Sequence, residues 1–246
     1  MTSTVASMWR HPIKAIGREE VEQVSLYAGQ TMPGDRLWAV AHEASNAQNA
    51  EWSRCTNFVR AASSPALMAI TCRREGAILH LSHPDLNVLS VNPEQEPEKL
   101  LSWLAPLIPG GRAAPTRVVS APSGRGMTDT SEASITLGNL KSHRIVQARL
   151  GRSLSIHRWR CNIWVDGLAP WEEFDLVGKR FRLGSAEVEA YKRVDRCEAT
   201  SANPDTGRRD ADLLSVLDDY GHRDFTVALR VVSDGDVARG DPVRLS

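Results

Sequence analysis

The amino-acid sequence predicts a mainly β (α+β) protein, built from closed or barrel-like β units with flanking helices. Two observations support this fold class. Many short stretches of strand-type composition are bounded by Gly or Pro, and only three runs have helical character. The 246 residues suffice for one large domain or two modest ones, and either size buries an adequate core.

The first ninety residues contain mostly candidate strands. These strands are predicted at residues 4–9, 20–26, 37–41, 66–73, 77–81 and 86–91. Residues 74–76, Arg-Glu-Gly, are short enough to close a β-hairpin between the fourth and fifth of them. Gly76 then supplies the positive φ that such a turn needs.

A helix is predicted at residues 97–104, because Pro97 and Glu98 fall in its first turn, where the helix dipole favours them. Residues 109–129 are rich in Gly, Pro, Ala and Ser, which predicts a linker or mobile loop. Residues 131–140 are predicted to form a short helix, with serine hydroxyls at its N-cap.

The second half of the chain again predicts strands, with one further helix. The strands are expected at residues 162–165, 180–183, 187–193, 225–232 and 242–245. Residues 212–220 place their apolar side chains on one face, and Gly221 suits the C-cap of that helix. The apolar stripe of this helix is interpreted as core.

Composition excludes several classes of protein. The formal net charge is zero, which argues against a non-specific nucleic-acid binder. The N-terminus lacks the pattern of a signal peptide, and no stretch has the length of apolar sequence that a membrane span requires. The four scattered cysteines form no Cys-x-x-Cys pair, so we expect reduced thiols in a cytoplasmic protein.

The most distinctive stretch surrounds Cys197. A lone cysteine is usually a small buried hydrophobe. Here Lys192, Arg193 and Arg196 precede it, and cations favour the thiolate, although Asp195 and Glu198 partly oppose them. A turn-forming run, Asn-Pro-Asp-Thr-Gly, follows at residues 203–207. Both interpretations of the cysteine, structural and reactive, remain open on the local sequence.

The pattern Arg-Cys-x-x-Thr, followed by Asn-Pro-Asp-Thr-Gly-Arg-Arg-Asp, resembles the signature of the MOSC family. Its best-known members are the mitochondrial amidoxime-reducing components and their bacterial relatives. Five further segments are similar to the family's motifs and occur in the expected order, at residues 11–17, 34–38, 131–134, 158–163 and 240–243.

This resemblance implies a MOSC N-terminal β-barrel subdomain at residues 1–95 and a MOSC β-barrel domain at residues 96–246, with a pocket between them. It also implies that Cys197 binds the metal of molybdenum cofactor and is the catalytic ligand. A soft metal selects a thiolate, and arginine side chains suit a phosphate. The residues expected to bind the rest of the cofactor are Lys14, Arg36, Ser131, Ser134, Arg160, Asn162 and Arg196.

The chain departs from the family pattern at four positions. Asn203 stands in place of an Asp, and Ala15 in place of a Ser that helps to hold the cofactor. Cys161 replaces a proline, and is either a buried filler or a second thiol near the metal. Ala228 stands where some relatives have a tyrosine. His157 lies close in sequence to Arg160, either as a structural histidine or in the pocket.

The function implied is that of a molybdenum-dependent oxidoreductase, which reduces N-hydroxylated or N-oxide-type small molecules by oxygen-atom transfer. The sequence has no iron–sulfur motif, so the electrons are expected from a separate ferredoxin-like or cytochrome-type protein. We expect no nucleic-acid or membrane partner. The resemblance also carries a family-level association with pyridoxal phosphate.

Two alternatives remain. One is a carrier of molybdenum cofactor, or of a persulfide on Cys197, without turnover, in keeping with the kinship of MOSC domains to the sulfurase C-terminal region. The other is a cofactor-free binding module that kept the fold.

Overall fold

A computed structural model describes residues 3–245, and strands dominate this part of the chain. The strands are β1 (Thr4–Arg10), β2 (Glu19–Val21), β3 (Gln23–Leu26), β4 (Trp38–His42), β5 (Thr71–Glu75), β6 (Ile78–His83), β7 (Leu86–Val91), β8 (Pro115–Ser120), β9 (Ile135–Asn139), β10 (Ile163–Asp166), β11 (Arg180–Leu183), β12 (Ala186–Asp195), β13 (Asp224–Ser233), β14 (Gly235–Ala238) and β15 (Val243–Leu245). The α-helices are α1 (Pro97–Leu104), α2 (Leu140–Leu150) and α3 (Leu213–Asp218).

The largest sheet has eight strands in the order β15-β11-β12-β13-β9-β10-β1-β2. Only the β9–β10 pair within it is parallel. Its ladders leave β15 and β2 at open edges, although an isolated bridge joins Thr4 to Pro242. The inner face carries the largest core cluster, to which Met8, Leu137 and Leu229 contribute fully buried side chains. The sheet therefore curves around a core without closing into a barrel.

A second core lies in the N-terminal half. The three-stranded sheet β5-β6-β7 and the pair β4–β8 surround it, and α1 packs on it through Leu100, Leu101 and Leu104. The predicted hairpin between β5 and β6 is confirmed, with Gly76 at a φ of 59°. The predicted helix at residues 97–104 is confirmed as α1.

Helices α2 and α3 pack together in a third cluster, against buried aromatic side chains that include Trp159, Trp164 and Phe225. Asn139 caps α2 by accepting a hydrogen bond from the Lys141 amide, and Gly151 ends it in the left-handed region. Asp212 caps α3 in the same way as Asn139, through the Ser215 amide. The prediction of a helix at residues 212–220 is confirmed over its central part.

Several predicted elements are wrong. Residues 131–140 contain β9 and only the first residue of α2, because the alternation of buried Ile135 and Leu137 fits a strand. Residues 109–129 are not simply a linker, since they include β8. The predicted strand at residues 20–26 is split between β2 and β3, which belong to different sheets. Residues 66–69, predicted as the start of a strand, belong to the 3₁₀ helix Pro65–Ala69.

The two halves of the chain interlock through strand pairing. The N-terminal β1 pairs with β10, and β3 pairs with β14 near the C-terminus. The pair β4–β8 likewise joins segments on either side of α1. The division of the chain near residue 95 stays a prediction. Among the described helices, none has the length and apolar character needed to cross a membrane.

Candidate functional site

Cys197 lies where β12 ends and immediately precedes the 3₁₀ helix Glu198–Ser201. Cys197 is exposed, whereas Cys72 and Cys161 are buried and Cys55 is half-buried. The Cys197 carbonyl accepts hydrogen bonds from the amide and hydroxyl of Thr200, both at 3.1 Å. The thiol is therefore accessible on a backbone segment that is held by its own 3₁₀ turn.

Arg196 anchors the chain just before this cysteine. Its guanidinium donates to the carbonyls of Phe225, at 2.7 Å from Nε, and Trp159, at 2.9 Å from Nη1. It also donates to the Thr226 hydroxyl, and Thr226 has a left-handed φ of 76°. Burial lowers the pKa of Arg196 to about 10, so the group stays charged at neutral pH. In this geometry the donors of Arg196 face the protein backbone.

Arg158 anchors the chain just after the cysteine. Its side chain is buried, and Nη1 donates to the carbonyls of Thr200 and Ser201 at 3.2 and 3.1 Å. Its Nη2 forms an ion pair with the Asp210 carboxylate. Two arginines thus fix the backbone on either side of Cys197, and Arg158 is the buried one.

The Asn-Pro-Asp-Thr-Gly turn after Cys197 docks on the N-terminal half. Asn203 bonds through Oδ1 to the Asp205 amide at 2.8 Å, as an Asx turn does. Gly207 has a φ of 67°, and a Cβ at this position would lie 2.7 Å from the Cα of Ala66. Arg18 approaches the Asp205 carboxylate at 3.6 Å. The turn therefore joins the cysteine segment to residues far away in the sequence.

A cluster of cations, defined by Lys14, Arg36 and Arg160, forms the second part of the site. The Lys14 ammonium is buried and donates to the Met127 carbonyl at 2.9 Å and to the Asp129 carboxylate. Arg36 pairs with Asp35 and donates to the Arg160 carbonyl at 3.3 Å. The structure thus brings together three residues that sequence reasoning assigned to one pocket.

Arg160 carries the unpartnered donor of this cation cluster. Its Nη1 donates to the Gly17 carbonyl at 3.2 Å, while its buried Nη2 has no hydrogen-bond partner within the described chain. Burial, reinforced by the nearby charge of Arg36, lowers the pKa of Arg160 to about 9. A buried, charged donor without a partner is costly, and an anionic ligand would satisfy it.

The backbone of the cation cluster is unusual as well. Arg36 and Arg160 have φ values of 51° and 46°, in the left-handed region that costs a non-glycine residue about 1–2 kcal/mol. Ala15, next to Lys14, has a φ of 64°. Strained backbone of this kind concentrates at ligand-binding sites, where the surrounding structure compensates for it.

Beneath Arg36 lies a buried carboxylate, Asp35. It accepts a hydrogen bond from the His11 amide at 2.7 Å, and the His11 ring lies 3.3 Å away. Burial, with the charge of Arg160, lowers the pKa of His11 to about 3, so the imidazole is neutral. Burial alone would raise the pKa of Asp35, but the charge of Arg36 and the hydrogen bonds with His11 together outweigh it and keep the pKa below its usual range. Asp35 is therefore an ionised partner that fixes the Arg36 guanidinium.

Asp129 links the two parts of the site. Its negative charge acts on Lys14, Arg36 and Arg160, and it also raises the pKa of Arg196, beside Cys197. The charge and hydrogen bond of Lys14, with the charges of Arg36 and Arg160, lower the pKa of the Asp129 carboxyl. The cation cluster and the cysteine segment thus lie within electrostatic reach of one carboxylate.

The other residues assigned from the sequence lie in less open positions. Asn162 accepts hydrogen bonds from the Thr136 amide and hydroxyl at 3.1 and 3.0 Å, and donates to the Trp9 carbonyl at 3.1 Å. Its amide therefore joins β1, β9 and β10 at the edge of the site. Ser131 is exposed and Ser134 is buried, and both precede β9 instead of opening a helix. The helix N-terminus predicted at these serines does not form.

The structure also locates the two residues whose roles the sequence left open. Cys161 is buried and donates weakly to the carbonyls of Thr136 and Ile163, both at 3.3 Å. Burial raises the pKa of its thiol to about 11, so it is protonated at neutral pH, as a filler would be. The His157 ring packs edge-on against Trp9, with their centroids 4.2 Å apart.

Sequence reasoning missed three charged residues of the site: Asp35, Arg158 and Asp129. Asp35 and Arg158 stand inside the motifs that pointed to their neighbours, so their proximity was a usable signal. Asp129 had no such signal, because it meets Lys14 across 115 positions of the sequence.

Comparisons with known proteins agree with this architecture. The model of the MOSC N-terminal beta barrel domain matches residues 2–104, and that of the MOSC domain matches residues 124–244. A segment of 66 residues is 38% identical to molybdenum cofactor sulfurases of Caenorhabditis briggsae and Caenorhabditis elegans. It covers 27% of this chain but only 9% of each sulfurase.

Two solved structures are similar at low identity. The YuaD protein of Bacillus subtilis is 13% identical, with a TM-score of 0.45, over 100% of this chain and 96% of its own. YiiM of Geobacillus stearothermophilus is 19% identical, with a TM-score of 0.36, over 46% of this chain and 53% of its own. The two family models follow one another along the chain and together span most of it, so the protein belongs to the MOSC family.

Proposed function

We propose that this protein binds molybdenum cofactor through Cys197 and reduces N-hydroxylated or N-oxide-type small molecules by oxygen-atom transfer. The observation that carries the proposal is the pairing of an exposed thiol with a cluster of cations; Arg196, next to Cys197, donates to the carbonyl of Trp159, which adjoins Arg160. Membership of the MOSC family supports the choice of cofactor.

The residues present suit this cofactor, which has a soft metal at one end and a phosphate at the other. The Cys197 thiol is the kind of ligand that a soft metal selects. Lys14, Arg36 and Arg160 would hold the phosphate or pterin, and the unpartnered Nη2 of Arg160 is a donor ready for it. When bound, the cofactor supplies the two-electron redox chemistry of the reaction.

The protein's own residues position Cys197 and the cations that would bind the cofactor. Arg196 and Arg158 fix the backbone on both sides of Cys197, so that its thiol is presented in one direction. Asp35 holds the Arg36 guanidinium in place beside Arg160. In this proposal a separate ferredoxin-like or cytochrome-type protein supplies the electrons.

Molybdenum per chain, measured by elemental mass spectrometry on protein made with cofactor synthesis intact, tests the binding. We expect close to one metal per wild-type chain and a sharp loss in Cys197→Ser, because a hydroxyl is a poor ligand for a soft metal. Cys55→Ser is the matched control, since Cys55 is the remaining thiol that is not buried. Equal metal in wild type and Cys197→Ser would contradict the assignment.

The second candidate function is a carrier of cofactor or sulfur. The exposure of Cys197 and the likeness of a segment to molybdenum cofactor sulfurases favour it. Reduction of an amidoxime or hydroxylamine with an artificial electron donor separates the two functions. Turnover that Cys197→Ser abolishes supports the enzyme. A metal-loaded protein without turnover supports a carrier of cofactor, and a metal-free protein whose Cys197 gains the mass of one sulfur atom supports a carrier of sulfur.

A further inference from the structure

The Asp129 side chain occupies a position in the cation cluster that an anionic ligand would need. Its carboxylate pairs with the Lys14 ammonium, yet 77% of the Asp129 side chain is exposed, against 5% for Lys14. The contact therefore joins a fixed cation to a carboxylate that reaches it from the surface. The ion pair with Lys14 places this carboxylate at the cation cluster, and the charges of Arg36 and Arg160 also lower its pKa.

The backbone around Asp129 is held independently of that carboxylate. The Met127 amide donates to the Arg36 carbonyl at 2.8 Å, and the Trp52 indole donates to the Thr128 carbonyl at 3.0 Å. On the other side, Arg125 Nη2 donates to the Thr130 carbonyl at 2.8 Å. Rotation of the Asp129 side chain can thus release the carboxylate into solvent without moving the loop.

Charge counting shows what such a release would achieve. Burial lowers the pKa of Lys14, whereas an anion beside it favours the charged ammonium. With an anion in place Lys14, Arg36 and Arg160 are cationic, while Asp35 is a buried anion bound to Arg36. Without the Asp129 carboxylate the group carries two net positive charges, three cations less one carboxylate. A phosphate monoester carries about two negative charges at neutral pH, so it would neutralise the group. A monovalent anion would only replace Asp129, with no gain in neutralisation.

We infer that Asp129 acts as an internal anion. Its carboxylate partly neutralises the cation cluster in the cofactor-free protein, and a phosphate dianion displaces it on binding. Asp129 thereby sets the specificity of the cluster for dianions over monovalent anions. This inference rests on the proposed function for the identity of the physiological ligand, but the competition itself is a property of the cofactor-free protein.

Inorganic phosphate is the probe, and its binding to the cofactor-free 246-residue chain is measured by titration calorimetry at about pH 8, where phosphate is mostly dianionic. We expect Asp129→Asn to bind phosphate about tenfold more tightly than wild type, because the Asp129 carboxylate no longer competes with phosphate for Lys14. Asp129→Asn should also bind acetate measurably, which wild type should not.

Asp219→Asn is the matched control, because it removes the same charge from a surface ion pair, that with Arg149 at 2.6 Å. It should leave phosphate affinity at the wild-type value. Adding Arg160→Ala to Asp129→Asn should abolish the gain, since the phosphate then loses the unpartnered donor. Asp129→Ser serves as a second variant, should the asparagine disturb the fold.

Equal phosphate affinity in wild type, Asp129→Asn and Asp129→Ser would overturn the inference, and so would an equal gain in Asp219→Asn. These outcomes are distinct from a failure of the proposed function, which is scored on molybdenum retained through Cys197. A protein that holds molybdenum but shows no effect of Asp129 on phosphate refutes only the competition.

Discussion

Individual residues of the site are held by contacts that leave little freedom to their backbone. Arg196 and Arg158 donate hydrogen bonds to carbonyl groups around Cys197 and so anchor that segment. Gly207 allows the turn after the cysteine to lie directly against Ala66. The site is thus defined as much by the residues that position Cys197 as by the thiol itself.

Gly207→Ala tests this close approach. The added methyl would meet backbone that cannot move aside, at a left-handed φ of 67°. We expect the free energy of unfolding to fall by about 2–4 kcal/mol, as measured in urea. Gly76→Ala is the control, because its φ is 59° but nothing lies within 4 Å of the new Cβ, so only the backbone cost of roughly 1 kcal/mol applies. Equal losses in both variants would show that the contact with Ala66 is unimportant.

At the scale of the elements, His143 connects helix α2 to the segment that carries Arg158 and Arg160. Its Nε2 donates to the Leu154 carbonyl at 3.0 Å, and its Nδ1 accepts from the Trp159 indole at 3.0 Å. The ring is therefore neutral and fully bonded in the folded protein. Burial lowers the pKa of His143 to about 4, so protonation would break the contact with Trp159.

A pH dependence of stability follows from this histidine. The folded pKa, about 4, lies below the unfolded value of 6.5, so the unfolded chain binds the proton first as the pH falls. The contribution is complete above pH 6.5 and is lost progressively towards pH 4, by roughly 3 kcal/mol. Denaturant unfolding of wild type and His143→Gln between these pH values measures it. The variant should show the weaker dependence, and identical slopes would contradict the assignment.

At the scale of the whole molecule, the N-terminal segment completes the core of the large sheet. Val5, Met8 and Leu26 are at most 1% exposed and belong to the cluster on its inner face. Burial of three such side chains contributes roughly 6 kcal/mol, which is comparable to the total stability of many domains. The chain is thus expected to unfold as one cooperative unit.

A fragment of residues 105–246 tests this coupling. It lacks β1, which pairs with β10, and β3, which pairs with β14, so its sheet edges and core are exposed. We expect no cooperative thermal transition by circular dichroism, whereas the intact chain should show a single one. A sharp transition in the fragment would show that the C-terminal half folds independently.

The sequence predicted those parts of the fold that local patterns encode. The hairpin at Gly76 and helix α1 follow from turn and cap residues, and both are confirmed. Helix α2 was missed, although Asn139 and Gly151 supply its caps. Strand β9 directly precedes α2 and lies where the sequence predicts a helix, because a run of five strand residues before a helix gives no clear periodicity.

The sequence by itself determined the family, the mainly β fold class and the identity of the cysteine and cations that the motifs single out. Motif residues are close in sequence, so their spacing survives without knowledge of the fold. Only the tertiary structure decided how those groups meet. It turned Arg196 towards the backbone and brought Asp129 onto Lys14. Such contacts depend on strand pairing between distant segments, and a side chain's partners there are set by packing, which no local pattern records.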